Sequence, residues 1–163
     1  ADSIEHGYFI TRELLRKMAD RKIAWVPTII PVATQARGLQ RRTWNKEQLY
    51  IIKKTCEEQM KKVAAASQLG VCLGVGTDSG APAVKHGVNL AEEMLLYSDS
   101  GLDNSSILKS ATAVNARILG LDKQIGRIEL GYKANLLAVR GNPLSDLSVL
   151  KNIVMHFLPF GQA

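Results

Sequence analysis

The 163-residue sequence holds only two cysteines, Cys56 and Cys72, too few for a disulfide framework and too far apart for a CxxC metal pair. Both read as small core hydrophobes, which fits a reducing, cytoplasmic compartment. No apolar run approaches the roughly 20 residues needed to cross a bilayer, and no basic-then-apolar leader precedes the first polar residues. No membrane partner is expected, whereas the missing leader carries little weight. The chain opens on Ala1-Asp2-Ser3 rather than on Met, and reads as an excerpt. Disorder is not expected either, because 46% hydrophobic against 22% charged residues is ordinary for a globular domain with a sizeable core.

Acidic residues are in the minority, and the formal charge is +6. Eight basic residues between Arg37 and Lys62 (Arg37, Arg41, Arg42, Lys46, Lys53, Lys54, Lys61, Lys62) face only Glu47, Glu57 and Glu58, so this stretch carries +5 of the total. A nucleic-acid footprint is one reading of it. Aromatic residues beyond Trp44 and Tyr50 are missing there and three acids interrupt the run, so a solvated outer helix face is preferred and no nucleic-acid partner is expected.

What is present is an alternation of periods. Asp2 to His6 can end a strand at Gly7. Thr11 to Arg21 has Leu14, Leu15 and Met18 at helical spacing, and Ile23 to Ile30 is β-branched and bounded by prolines. From Asn45, with Gln48 three residues on as in a capping box, a helix is predicted to about Gln68, with Leu49, Ile52, Cys56, Met60 and Val63 on one face. Gly70 ends it. Val71 to Thr77 is apolar on both faces, as a covered parallel strand is. Two more helices are predicted over Asn89–Tyr97 and Asp103–Leu119, the second with Ile107, Ala111, Val114 and Ile118 as its inner stripe. Alternating strands and helices argue for a parallel sheet of βαβ units. After Leu121 the period shortens: IGRIEL, ANLLAVRG and NIVMHFL read as strands of a small β appendage, with a helical turn over 145–150. The expected division is therefore 1–121 and 122–163.

Groups at the carboxyl ends of parallel strands face the crevice where ligands bind. Asp78 in VCLGVGTDSG and His6 in DSIEHG both stand there, each with a glycine within two residues. Histidine and carboxylate are good zinc ligands, but a catalytic centre takes three protein ligands, so two do not complete one. The plain alternatives are a hydrogen-bonded turn histidine and an aspartate that caps the next helix.

DSIEHG, VPTI at 26–29, GTDSG at 76–80, ILKSATAVNARILGL at 107–121 and IGRIELGYKANLLAVRGNPLSDLSVL at 125–150 together resemble the amidohydrolase superfamily. Within it they most resemble the imidazolonepropionase-like branch with its Xaa-Pro dipeptidase-like members. The resemblance runs nearly end to end. It implies an α/β fold: the carboxyl-terminal part of a (β/α)8 TIM barrel, strands 6 to 8, with part of a small β-sandwich composite domain. A complete barrel takes about 250 residues. It further implies a divalent metal, zinc in one or two ions, with His6 as the strand-6 ligand and Asp78 as both the strand-8 ligand and the proton-transferring catalytic group. His86, in the loop after strand 8, would contact a small-molecule amide or dipeptide substrate whose C–N bond is hydrolysed. Glu5 is expected to point away from the crevice by strand alternation. Departures are plain: no HxH pair occurs among His6, His86 and His156, Asn135 stands where an aspartate is usual, and MHFLPFGQA lacks the usual closing pattern. The alternative is a catalytically inactive half-barrel that persists as a homo-oligomer or by pairing with the missing barrel half.

Overall fold

The computed structural model describes residues 1–38 and 44–158. Arg41 and Arg42 of the basic run, and the last five positions of the predicted appendage, lie outside the described residues.

Strand β1 (Ser3–Glu5) pairs in parallel with β2 (Ala24–Val26), in the register Ser3↔Ala24, Ile4↔Trp25 and Glu5↔Val26. On the other edge of β2, Trp25 bridges Leu73 in parallel, with Trp25 N–H donating to the Cys72 carbonyl (2.8 Å) and Gly74 N–H to the Trp25 carbonyl (2.9 Å). The three predicted segments are thus neighbouring and parallel in the expected order. They are shorter than predicted. Of 71–77, Leu73 alone forms a bridge pair with β2, and β2 stops at Val26 because Pro27 has no N–H to offer a ladder.

Helix α1 (Arg12–Asp20) starts on Thr11, whose side chain accepts from Leu14 N–H, and buries Leu15 and Met18 while Leu14 stays exposed. The predicted strand over Ile23–Ile30 is corrected at its far end: Ile30–Ala36 is a helix, α2, with Pro31 in its first turn, where the missing N–H costs nothing. Helix α3 (Lys46–Gln68) carries the full Asn45–Gln48 capping box and buries Cys56, Gln59, Val63 and Ala66. Lys46, Lys53, Lys54 and Lys61 lie on its exposed side. Helix α4 is Asn89–Asp99. Leu15, Met18, Trp25, Ile29, Ile30, Val63, Tyr97 and Ile107 pack between these elements without solvent contact.

The single helix predicted over Asp103–Leu119 is instead α5 (Asn104–Lys109), a π turn (Ser110–Val114) and α6 (Asn115–Ile118). A π turn holds one residue more than the α-helix it interrupts. The buried stripe is shifted accordingly: Ile107, Ser110 and Ala116 are buried, whereas Ala111, Val114 and Ile118 are half-buried. Gly126 packs on this turn. A Cβ there would lie 2.7 Å from Ala116 Cβ and 2.9 Å from the Thr112 carbonyl oxygen.

The appendage is a separate antiparallel pair, β3 (Leu136–Val139) and β4 (Ile153–Phe157), joined by a 3₁₀ turn over Leu147–Lys151. IGRIEL is not a strand. Its apolar alternation is genuine, but a strand needs a ladder partner, and among the described residues β3 and β4 pair only with each other. Ile128 and Leu130 are left 88% and 104% exposed.

Candidate functional site

Three strand ends in a row carry a non-glycine residue in the left-handed region: His6 (φ 63°) after β1, Thr28 (φ 49°) after β2, and Asp78 (φ 50°) after the third segment. Each such residue costs on the order of 1 kcal/mol. The strain falls at the carboxyl ends of parallel strands, where ligand sites form.

The middle residue organises the first. The Thr28 hydroxyl is buried, lies 2.6 Å from His6 Nδ1 and donates to the Pro27 carbonyl at 2.8 Å. A hydroxyl has one proton. With that proton directed at Pro27, Thr28 is placed to accept from His6 Nδ1, the arrangement of the tautomer whose lone pair lies on Nε2. The Trp25 indole N–H donates to the His6 carbonyl (2.9 Å), and the Tyr8 ring stacks on the imidazole with centroids 6.1 Å apart. Burial pushes the Tyr8 phenol above its ordinary value. Because β1, β2 and the 71–77 segment run parallel, His6 and Asp78 fall at the same end of the sheet.

Asp78 is exposed, and its backbone carbonyl accepts from Ala81 N–H at 3.1 Å. It does not cap the next helix, because α4 begins only at Asn89, after Val88. His86 lies exposed in the loop between them. Glu5 is exposed and accepts from the Ser3 hydroxyl at 3.0 Å. His156 stands on β4 opposite Leu137, in the other sheet.

Three residues of this end went unnoticed in the sequence: Tyr8, Thr28 and Glu93. Glu93 sits on α4 with no solvent exposure, and its two carboxylate oxygens accept from Ile29 N–H (2.8 Å) and Ile30 N–H (2.7 Å). Burial pushes its pKa up to about 7, against the pull of those two backbone donors. The signal was there to find, since Glu93 in NLAEEMLLY falls on the same side as Met94, Leu96 and Tyr97, together with the polar Asn89. Gln59 of α3 completes the arrangement, donating to the Pro27 carbonyl at 2.5 Å.

His6 and Asp78 offer an imidazole nitrogen and a carboxylate, donors that suit a divalent metal. Among the described residues no group of three or more His, Cys, Asp and Glu side chains gathers to hold one.

Residues 2–157 match the amidohydrolase family. The chain is 27% identical over 154 residues to the ochratoxinase of Aspergillus niger, an alignment that covers 91% of this chain and 30% of that protein. It is 31% identical over 98 residues to the 5'-deoxyadenosine deaminase of Methanobrevibacter smithii, covering 53% of this chain and 22% of that protein. Among solved structures, a Xaa-Pro dipeptidase with methionine bound in its active site superposes with a TM-score of 0.82 at 30% identity, over 97% of this chain and 38% of that one. The chain therefore spans well under half the length of the relatives it matches.

Proposed function

The chain belongs to the amidohydrolase family, and from that premise we propose that it is the carboxyl-terminal part of a metal-dependent enzyme that hydrolyses an amide or peptide C–N bond. On this reading β1, β2 and the 71–77 segment are strands 6, 7 and 8 of a (β/α)8 barrel, residues 1–121 belong to that barrel, and 122–163 to a small β-sandwich domain. The observation that carries it is the 2.6 Å contact of His6 Nδ1 with the Thr28 hydroxyl, which engages that ring nitrogen and leaves Nε2 for a ligand at the end of the sheet that also bears Asp78.

His6 through Nε2 and Asp78 through its carboxylate would hold a divalent metal, zinc by the nature of the donors, with the remaining ligands supplied from outside these residues. When bound, such a metal lowers the pKa of water to about 7 and polarises a carbonyl. Asp78 is the group that takes a proton from the attacking water and returns it to the leaving nitrogen, a role that suits an exposed carboxylate held by a stiff backbone. His86 is assigned to substrate contact. A dipeptide or other small amide is the substrate class that the likeness to the Xaa-Pro dipeptidase supports.

The test is hydrolysis of a dipeptide by a longer polypeptide that supplies the other strands. Activity lost on chelation and on Asp78→Asn, with circular dichroism unchanged, is the expected result. Full activity in Asp78→Asn would overturn the assignment. The chain alone is expected to show no turnover with added zinc.

A second reading, a non-catalytic half-barrel that persists by association, has its own observation. All five residues of β4 are exposed, among them Ile153, Val154, Met155 and Phe157, as are Ile128 and Leu130. Sedimentation of the purified chain distinguishes the readings: a stable oligomer without metal affinity favours the second.

A further inference from the structure

Two features bear on how the strand ends are held. The first is Glu93, a fully buried carboxylate that spends both oxygens on the N–H groups of Ile29 and Ile30. These are among the first N–H groups of α2, which no turn of that helix can satisfy. The residue at the N-cap position, Ile29, has no side chain able to accept them. The second is Thr28, the residue immediately before them, held at φ 49° although it is β-branched and disfavours that region.

We propose that Glu93 is a positioning residue for His6: by fastening Ile29 and Ile30 it holds Thr28 in the left-handed conformation, and Thr28 in turn dictates which imidazole nitrogen carries the proton. The chain of contacts is short and each link has a fixed direction. Glu93 accepts from the two backbone amides. Thr28 donates to Pro27 and must then accept from His6 Nδ1. Gln59 donates to the same Pro27 carbonyl and helps to hold it in place. If Thr28 relaxed to an ordinary φ, its hydroxyl would leave the imidazole and both tautomers would be populated. Groups that orient a ligating histidine through its second nitrogen commonly govern its ligand strength. In this chain that duty reaches back through the backbone to a carboxylate two steps from the ring.

This inference rests on the reading of His6 as a group that works through Nε2, but its test reads the ring directly and needs neither metal nor turnover. In the ¹⁵N-labelled chain at pH 8, long-range proton–nitrogen correlation is expected to show His6 as a single tautomer protonated at Nδ1. In Glu93→Gln, which can accept only one of the two amides, the His6 nitrogen shifts are expected to converge toward a mixture, while those of His156 stay where they were. Thr28→Val should give the same mixture, and the double variant no further change. Leu15→Ala, which weakens the core elsewhere, should leave the His6 tautomer intact. Should Glu93→Gln fail to fold, Glu93→Asp, one methylene shorter, is expected to give an intermediate shift. An Nε2-protonated His6 in the unaltered chain overturns the proposal, as does an unchanged tautomer in a folded Glu93 variant. Loss of hydrolysis in the longer polypeptide with the tautomer unaltered would count against the proposed function and not for this inference.

Discussion

The Asn115 carboxamide grips both backbone polar groups of Val75: its Oδ1 accepts from Val75 N–H at 3.0 Å and its Nδ2 donates to the Val75 carbonyl at 2.8 Å. Cys72 and Gly74 direct their backbone groups toward β2, so by alternation Val75 directs its own the other way. One side chain from α6 thus satisfies both backbone groups of a buried residue in the third segment. It also explains Gly74, whose Cβ would fall 2.7 Å from Asn115 Oδ1 and 2.7 Å from Ile118 Cδ1.

Asn115→Ala should therefore cost about 2 kcal/mol, since it strands a donor and an acceptor on a buried strand residue. Urea unfolding followed by circular dichroism measures it. A loss below about 0.5 kcal/mol would mean that water replaces the amide without penalty.

Glu93 makes stability depend on pH in a defined direction. Its folded pKa of about 7 lies above the ordinary 4.5. Between those values the native state keeps a proton that the unfolded chain has released. Its contribution is fully present below 4.5 and is lost as the pH rises through about 7, on a scale of about 3 kcal/mol. Urea midpoints recorded from pH 4.5 to 8 should fall across this window, and Glu93→Gln should flatten the fall.

Asp78→Gly is expected to stabilise the chain by up to about 1 kcal/mol, because the glycine relieves a left-handed backbone at an exposed position. Asp78→Asn should be close to neutral, asparagine being tolerant of that region. A destabilised Asp78→Gly would show that the carboxylate, and not the site's function, accounts for the strained backbone.

Gly126→Ala should cost about 3 kcal/mol, combining the overlap with Ala116 and Thr112 with a φ of +89°. A near-neutral substitution would mean that the 121–130 segment lifts off the π turn freely.

The parts of the fold written in periodicity and caps were legible in the sequence. Thr11, Asn45 with Gln48, and Asp103 each cap the helix that was read behind them, and the three parallel segments stand in the order their composition suggested. What was not legible depended on partners distant in the chain. Ile30 looked like the end of a strand and the helix it opens went unread, because that helix's first amides are satisfied by a glutamate more than sixty residues away. IGRIEL has the alternation of a strand without a neighbour to pair with. The π turn leaves no trace in residue type. At the site, His6 and Asp78 were visible as polar groups closing apolar runs, whereas Thr28 and Tyr8 look ordinary until the backbone brings them to the imidazole.

The π turn over Ser110–Val114 has a consequence for chain length. Because it holds one residue beyond what α winding requires, removing a single residue there can restore a continuous helix while Asn115 still faces Val75. Removing one residue after it would instead rotate everything beyond by about 100° and carry Ala116 out of the interior. The helix that secures the third strand thus has one place where the protein can shorten without changing what either end touches, and Gly126, packed against that place, is the residue that would sense the change first.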